Sequence, residues 1–200
     1  MITSIKERLI YLIRTEVSQN IWEKDDLFYE MKLLSIDQRG RVGEHFLRDV
    51  FQELNMNVEY INNAHGDFDL IVNNKRIEIK TATLDTNQKF QHEGIKDSDK
   101  WDAVAFLDIA PNQIYLTIIP KVSFRFNVSY INKNGVESKK GELNFLNISQ
   151  NIHFRGKDGT NNRATGAGYK VDLKCSDLIP ANTIKDIENI FYKVFPESTH

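Results

Sequence analysis

Glu78 and Lys80 set a carboxylate and an amine two residues apart. In an extended chain that spacing puts both on one face, while Ile77 and Ile79 take the other. Asp69 supplies a second carboxylate a short way upstream. Paired carboxylates can hold Mg²⁺, and a lysine beside them can serve an attacking water. Such a set is the apparatus of metal-dependent phosphodiester hydrolysis. Asn73-Asn74 reads as a two-residue hairpin turn between strands at 68–72 and 76–82. The turn pairs Val72 with Lys75, and hence Asp69 with Glu78 and Asp67 with Lys80. Phe68, Leu70, Val72, Ile77 and Ile79 then share the apolar face. Carboxylates directly opposite each other destabilise a sheet, and a cation between them removes that cost. Asp67, directly after Gly66, is either a second candidate ligand or an Asx-type turn residue.

The elements around this hairpin follow from hydrophobic spacing. Ile5, Leu9, Ile10 and Ile13 fall on one face of an N-terminal helix, and 21–34 reads as a second short helix. Ser35 is placed to cap a helix over 36–54, with Val42, Phe46, Leu47, Val50, Phe51 and Leu54 as its buried stripe. Gly40 and Gly43 weaken that helix unless another part of the chain approaches closely. Glu44 flanks the stripe, where it could reach a metal directly or through water. Segment 57–61 reads as a strand and 62–66 as a turn. Residues 85–95 read as a polar, partly helical segment from which Gln91 could touch the site. Apolar strands at 103–109 and 113–119 flank the Pro111-Asn112 turn. Beyond Pro120 the expectation is a strand at 123–130, a polar turn region at 132–141, a long loop at 155–168 and a closing amphipathic helix at 183–194. The order of elements points to an α/β domain with a central mixed β-sheet. The chain reads as a single domain, 1–200, in three parts: a helical part at 1–35, a catalytic core at 36–120, and a DNA-binding and C-terminal part at 121–200.

Bulk properties narrow the function classes. The chain has 200 residues, a hydrophobic content of 40% and a mean hydropathy of -0.45, which fit a globular protein with a substantial core. No apolar run is long enough for a membrane span or a signal peptide, so no membrane partner is expected. One cysteine, Cys175, excludes an internal disulfide and fits a reducing, cytoplasmic setting. His65, His92 and His153 are scattered without the spacing of a zinc motif. The net charge is -2, yet residues 121–174 hold ten Lys or Arg against four Asp or Glu, a local balance of +6 that leaves -8 for the rest. A basic portion joined to an acidic catalytic portion suits a polyanionic substrate. Arg155, Lys157, Asn161, Asn162, Arg163 and Thr165 lie in one glycine-punctuated loop. Arg can read guanine and Asn adenine. Lys121, Arg125, Lys139 and Lys140 are candidates for phosphate contacts.

The set Glu44, Asp69 and Glu78-Ile79-Lys80 resembles the signature of the PD-(D/E)xK nuclease superfamily: a helical Glu, then an Asp, then Glu-x-Lys on the next strand. The match covers 40–120. No proline precedes either aspartate, since Gly66 stands before Asp67 and Phe68 before Asp69. Asp69 is the favoured ligand because it faces Glu78. Within the superfamily the chain is most similar to type II restriction endonucleases. The resemblance implies a restriction-endonuclease-like core with its mixed sheet flanked by helices. It also implies Mg²⁺-dependent cleavage of double-stranded DNA at a specific sequence, often by a homodimer. Asp69, Glu78 and the Ile79 carbonyl would hold the metal, Glu44 its outer shell or a second ion, and Lys80 the attacking water. Two other readings are a DNA repair or junction-resolving nuclease of the same superfamily and a catalytically silent DNA-binding module.

Overall fold

Ser35 sets the start of the longest helix. Its hydroxyl accepts the Gln38 N–H at 3.3 Å, and the Gln38 side-chain carbonyl accepts the Ser35 N–H at 2.9 Å. A reciprocal cap of this kind contributes about 1 kcal/mol. The computed structural model of the protein describes residues 5–17, 20–61, 68–155 and 168–196. Helices α1 (Ile5–Val17), α2 (Tyr29–Leu33) and α3 (Ile36–Glu53) come first. Strands β1 (Val58–Tyr60), β2 (Leu70–Val72), β3 (Lys75–Thr83), β4 (Lys89–Ile95), β5 (Ala103–Ala110) and β6 (Gln113–Pro120) follow. Then come β7 (Phe124–Ile131), β8 (Glu137–Phe145), β9 (Ile148–Arg155), β10 (Gly168–Lys174) and α4 (Ile184–Val194), which Thr183 caps.

The strands form two five-stranded sheets, ordered β1-β2-β3-β5-β6 and β4-β10-β9-β8-β7. The first sheet is mixed: β3 and β5 run parallel, and its other neighbours are antiparallel. The second is antiparallel throughout. The parallel pair needs a crossover, and here β4 supplies it, leaving the first sheet to join the second before the chain returns as β5. Strand β5 is buried at all eight positions, because it is covered on both faces. Helix α3 covers one face, beside α4, with Phe51 and Phe191 ring to ring at 5.5 Å. The second sheet covers the other.

Next to the turn the hairpin register matches the expectation, but β2 starts at Leu70 rather than at 68 and the ladder stops there, so Asp69 is not strand-paired with Glu78, and Asp67 lies outside the described residues. Val72 pairs with Lys75, Ile71 with Arg76 and Leu70 with Ile77, and both turn residues, Asn73 (φ 46°) and Asn74 (φ 65°), are left-handed. Other expectations are corrected. Within 21–34 only α2 is helical. Segment 85–95 carries no helix; it is strand β4, with Phe90 and His92 turned inward and Gln91 and Glu93 outward. Residues 132–141 are not all turn, since β8 begins at Glu137. Val42 is 42% exposed, and Gly43 takes the buried position expected of it. A Cβ on Gly43 would collide with Thr81 Oγ1, so the missing side chain is what lets α3 settle onto β3. Gly43→Ala is therefore expected to destabilise the fold by about 1–3 kcal/mol, read as a lower urea midpoint. A midpoint equal to wild type would show that α3 can move away freely.

Candidate active site

Strands β2 and β3 diverge just beyond the Leu70–Ile77 pair, and the carboxylates collect at that splay. The Asp69 N–H still donates to the Ile77 carbonyl at 2.9 Å. The Asp69 carboxylate, however, accepts the Ile79 N–H at 2.7 Å, taking a donor that a continuing strand would otherwise use. Asp69 is thereby fixed alongside Ile77–Ile79 and is held on both sides, because its own carbonyl accepts the Ile61 N–H at 2.9 Å.

On β3 the alternation holds. Ile77 and Ile79 are buried, and Glu78 and Lys80 share the opposite face, their side chains 14% and 22% exposed and joined by an ion pair at 2.5 Å. That face looks toward the second sheet: Lys80 pairs with Phe106 of β5, and the Phe106 ring meets His92 of β4 at 4.7 Å. Gly94 of β4 (φ 78°) closes the approach from that side, since a Cβ there would come within 4.0 Å of Lys80 Nζ.

The electrostatics follow from burial and like charge. Burial first, then the Glu78 charge, push the Asp69 carboxyl up to about 7, with a smaller contribution from Glu44; the Ile79 N–H and the Lys80 charge oppose the rise. Glu44, on α3, accepts the Tyr60 hydroxyl at 2.9 Å. Burial and that bond raise the Tyr60 phenol, so it keeps its proton and remains a donor. Asp69, Glu78, the Ile79 carbonyl and Glu44 are hard oxygen donors of the type Mg²⁺ takes. No three of the His, Cys, Asp and Glu side chains among the described residues form a ready metal cage. Mg²⁺ commonly binds through one or two carboxylates completed by waters and substrate phosphate, so the donor set fits this ion.

The other expected site residues divide. Gln91 stands on the outer face of β4, bonded to Asp85 and Lys170 at 2.6 and 2.7 Å, and does not touch the carboxylates. Lys121 pairs with Asp99 and lies over Trp101. Arg125 pairs with Glu142 at 3.2 Å on β7, the edge of the second sheet opposite β4. Lys140 also meets Glu142, at 3.2 Å. Arg155 ends β9 and pairs with Gly168. A Cβ on Gly168 would collide with the Gly94 backbone. Gly168, the first described residue after the basic segment, thus packs on the glycine that faces Lys80. Asp67, Lys157, Asn161, Asn162, Arg163 and Thr165 lie outside the described residues.

Sequence reasoning missed three contributors. Tyr60 carries no signal of its own, since its bond to Glu44 spans sixteen positions. Gly94 gains meaning only from the packing of β4. His92 looked like a scattered histidine, but it is buried (2% exposed) with its Nε2 at 2.8 Å from the fully buried Asp108.

No protein-family model matches the chain, and neither a curated protein nor a solved structure matches it. None of the described helices is long and apolar enough to cross a membrane.

Proposed function

We propose that the protein is a Mg²⁺-dependent endonuclease of the PD-(D/E)xK type, cutting double-stranded DNA at a specific sequence in the manner of a type II restriction endonuclease. One observation carries the reading. A carboxyl raised to about 7 by burial and its Glu78 neighbour sits where two strands part, with a lysine on the same face as that neighbour. A structural ion pair has no use for the surplus negative charge, whereas a cation and a phosphodiester do.

Asp69 and Glu78 would hold Mg²⁺, with the Ile79 carbonyl as a further donor and Glu44 at the outer shell. When bound, the ion supplies Lewis acidity and makes water nucleophilic near neutral pH. Asp69 is kept in place by the Ile79 N–H, so its oxygens meet the substrate already oriented. Lys80 would leave its ion pair with Glu78 as that carboxylate turns to the cation. It then orients the attacking water or steadies the negative charge that grows on the phosphoryl oxygens.

Arg155 is the best-placed described residue for DNA, because its strand partner Gly168 packs on Gly94 beside Lys80. The basic and amide-rich stretch that follows it in sequence supplies the residue types suited to reading bases and holding phosphates. Lys121 and Arg125, held by Asp99 and Glu142, are expected to contribute less. Binding is expected to fall steeply with salt, and Arg155→Ala to reduce the slope of log K against log salt by about 0.9. A flat salt dependence would remove the phosphate-contact assignment. The decisive experiment is to incubate the protein with Mg²⁺ and plasmid or phage DNA and to sequence the fragment ends. Discrete fragments sharing one end sequence support the proposal. Cutting confined to branched or mismatched DNA would favour a repair or junction-resolving nuclease, and binding without cutting a silent module.

A further inference from the structure

We propose that Tyr60 is a positioning residue that aims Glu44 at the Asp69–Glu78 pair, an inference that rests on the metal-dependent reading of that site. Glu44 lies on a helix and the other two carboxylates on a hairpin. Nothing in either element alone fixes the third carboxylate relative to the first two. Tyr60 is the tie between them. It belongs to β1, the edge strand of the first sheet, and pairs with Leu70, the residue after Asp69. The residue after Tyr60, Ile61, donates its N–H to the Asp69 carbonyl at 2.9 Å. The phenol therefore stands on the backbone that holds Asp69 and donates to Glu44 Oε2 at 2.9 Å.

The ring is itself held. The Arg48 guanidinium lies over it at 5.6 Å, and the His45 ring meets it at 5.5 Å in an edge arrangement. Both come from the turn of α3 that follows Glu44. A carboxylate gripped through one oxygen by a fixed donor keeps its orientation while its other oxygen serves the site. Outer donors of this kind set the affinity and geometry of a metal centre without touching the ion.

The test is calorimetric titration with Mn²⁺ and with Ca²⁺, alongside the Mg²⁺ dependence of cleavage, in wild type, Tyr60→Phe, Glu44→Gln, the double variant and Asp69→Asn. Tyr60→Phe keeps the ring and removes only the hydroxyl. It is expected to weaken ion binding about tenfold, to raise the Mg²⁺ needed for half-maximal cleavage to match, and to leave kcat at saturating Mg²⁺ near wild type. Added to Glu44→Gln, it is expected to cost nothing more, because the effect passes through Glu44. A purely structural role would instead give equal losses in both backgrounds, and that result overturns the inference. So does wild-type ion affinity in Tyr60→Phe when Asp69→Asn has lost binding. Should Asp69→Asn bind the ions as wild type does, the metal-site reading itself fails, and the inference fails with it.

Discussion

Asp69→Asn is expected to abolish Mg²⁺-dependent cleavage, by at least about a thousandfold, while making the metal-free protein more stable above neutral pH. The two effects share one cause. In the unfolded chain this carboxyl ionises near its ordinary value of 3.8, whereas in the folded protein it is pushed up to about 7. The folded state therefore holds the proton more tightly. Below the ordinary value both states are protonated and stability is undiminished. Between about pH 4 and about pH 7 the unfolded state ionises first, so stability declines as pH rises, and the loss is complete once the folded carboxyl ionises. The introduced amide would resemble the protonated acid, and its oxygen could still accept the Ile79 N–H. The variant is expected to exceed wild type by about 2–4 kcal/mol at pH 8 and to equal it at about pH 3.5, as urea melts across that range would show. A gap independent of pH would remove the electrostatic account. Glu78→Ala and Lys80→Ala are also expected to lose cutting while retaining DNA in a gel-shift assay. Wild-type cleavage by Glu78→Ala would remove the site assignment.

Asp108→Ala is expected to cost about 3–5 kcal/mol of stability, a loss on the scale of the whole margin that many domains possess. Asp108 is fully buried on β5, and its carboxylate meets His92 Nε2 of β4 at 2.8 Å across the gap between the two sheets. Burial pushes the Asp108 carboxyl up, and its Oδ2 and His92 Nδ1 have no hydrogen-bond partner among the described residues. The pair is one polar unit in an apolar layer, joined by a single hydrogen bond. Removing Asp108 leaves the imidazole buried without its partner. Replacing both residues, as in His92→Phe with Asp108→Leu, removes the polar demand altogether and is expected to recover most or all of the loss. Denaturant unfolding of the two single variants and the double variant measures this. A double variant as unstable as the sum of the single ones would show that the cost lies in packing volume and not in the stranded polar group.

The parts of the fold that were legible in sequence are those where local chemistry and burial agree. Ser35 caps α3 as read, and the Asn73-Asn74 turn fixes the register as far as the Leu70–Ile77 pair; beyond it the Ile79 N–H, not the strand ladder, holds the Asp69 carboxylate. What was illegible depended on residues whose burial comes from a distant partner. Strand β4 reads as polar because His92 counts as polar until Asp108 is seen opposite it. In β9 and β10, Ile148, Ile152 and Phe154, then Tyr169, Val171 and Leu173, do alternate with polar residues. In β9 that period is interrupted by Gln150, which turns inward to bond the Asp172 backbone. Glu44 was found by its place on the helix. Its tether to Tyr60 is a tertiary contact that no local pattern encodes.

The route of β4 bears on how the chain is made. Strand β4 pairs with β10 from Lys89–Lys174 to Ile95–Tyr169, so its partner leaves the ribosome far behind it. At elongation rates of about 5–20 residues per second, β4 waits several seconds with its hydrogen-bonding edge open. Gly168, the residue that packs on Gly94 beside Lys80, emerges in that same late stretch. The wall beside the carboxylates is therefore completed only once that later stretch has been made. A nascent chain carries Asp69, Glu78 and Lys80 long before it has the surface that encloses them.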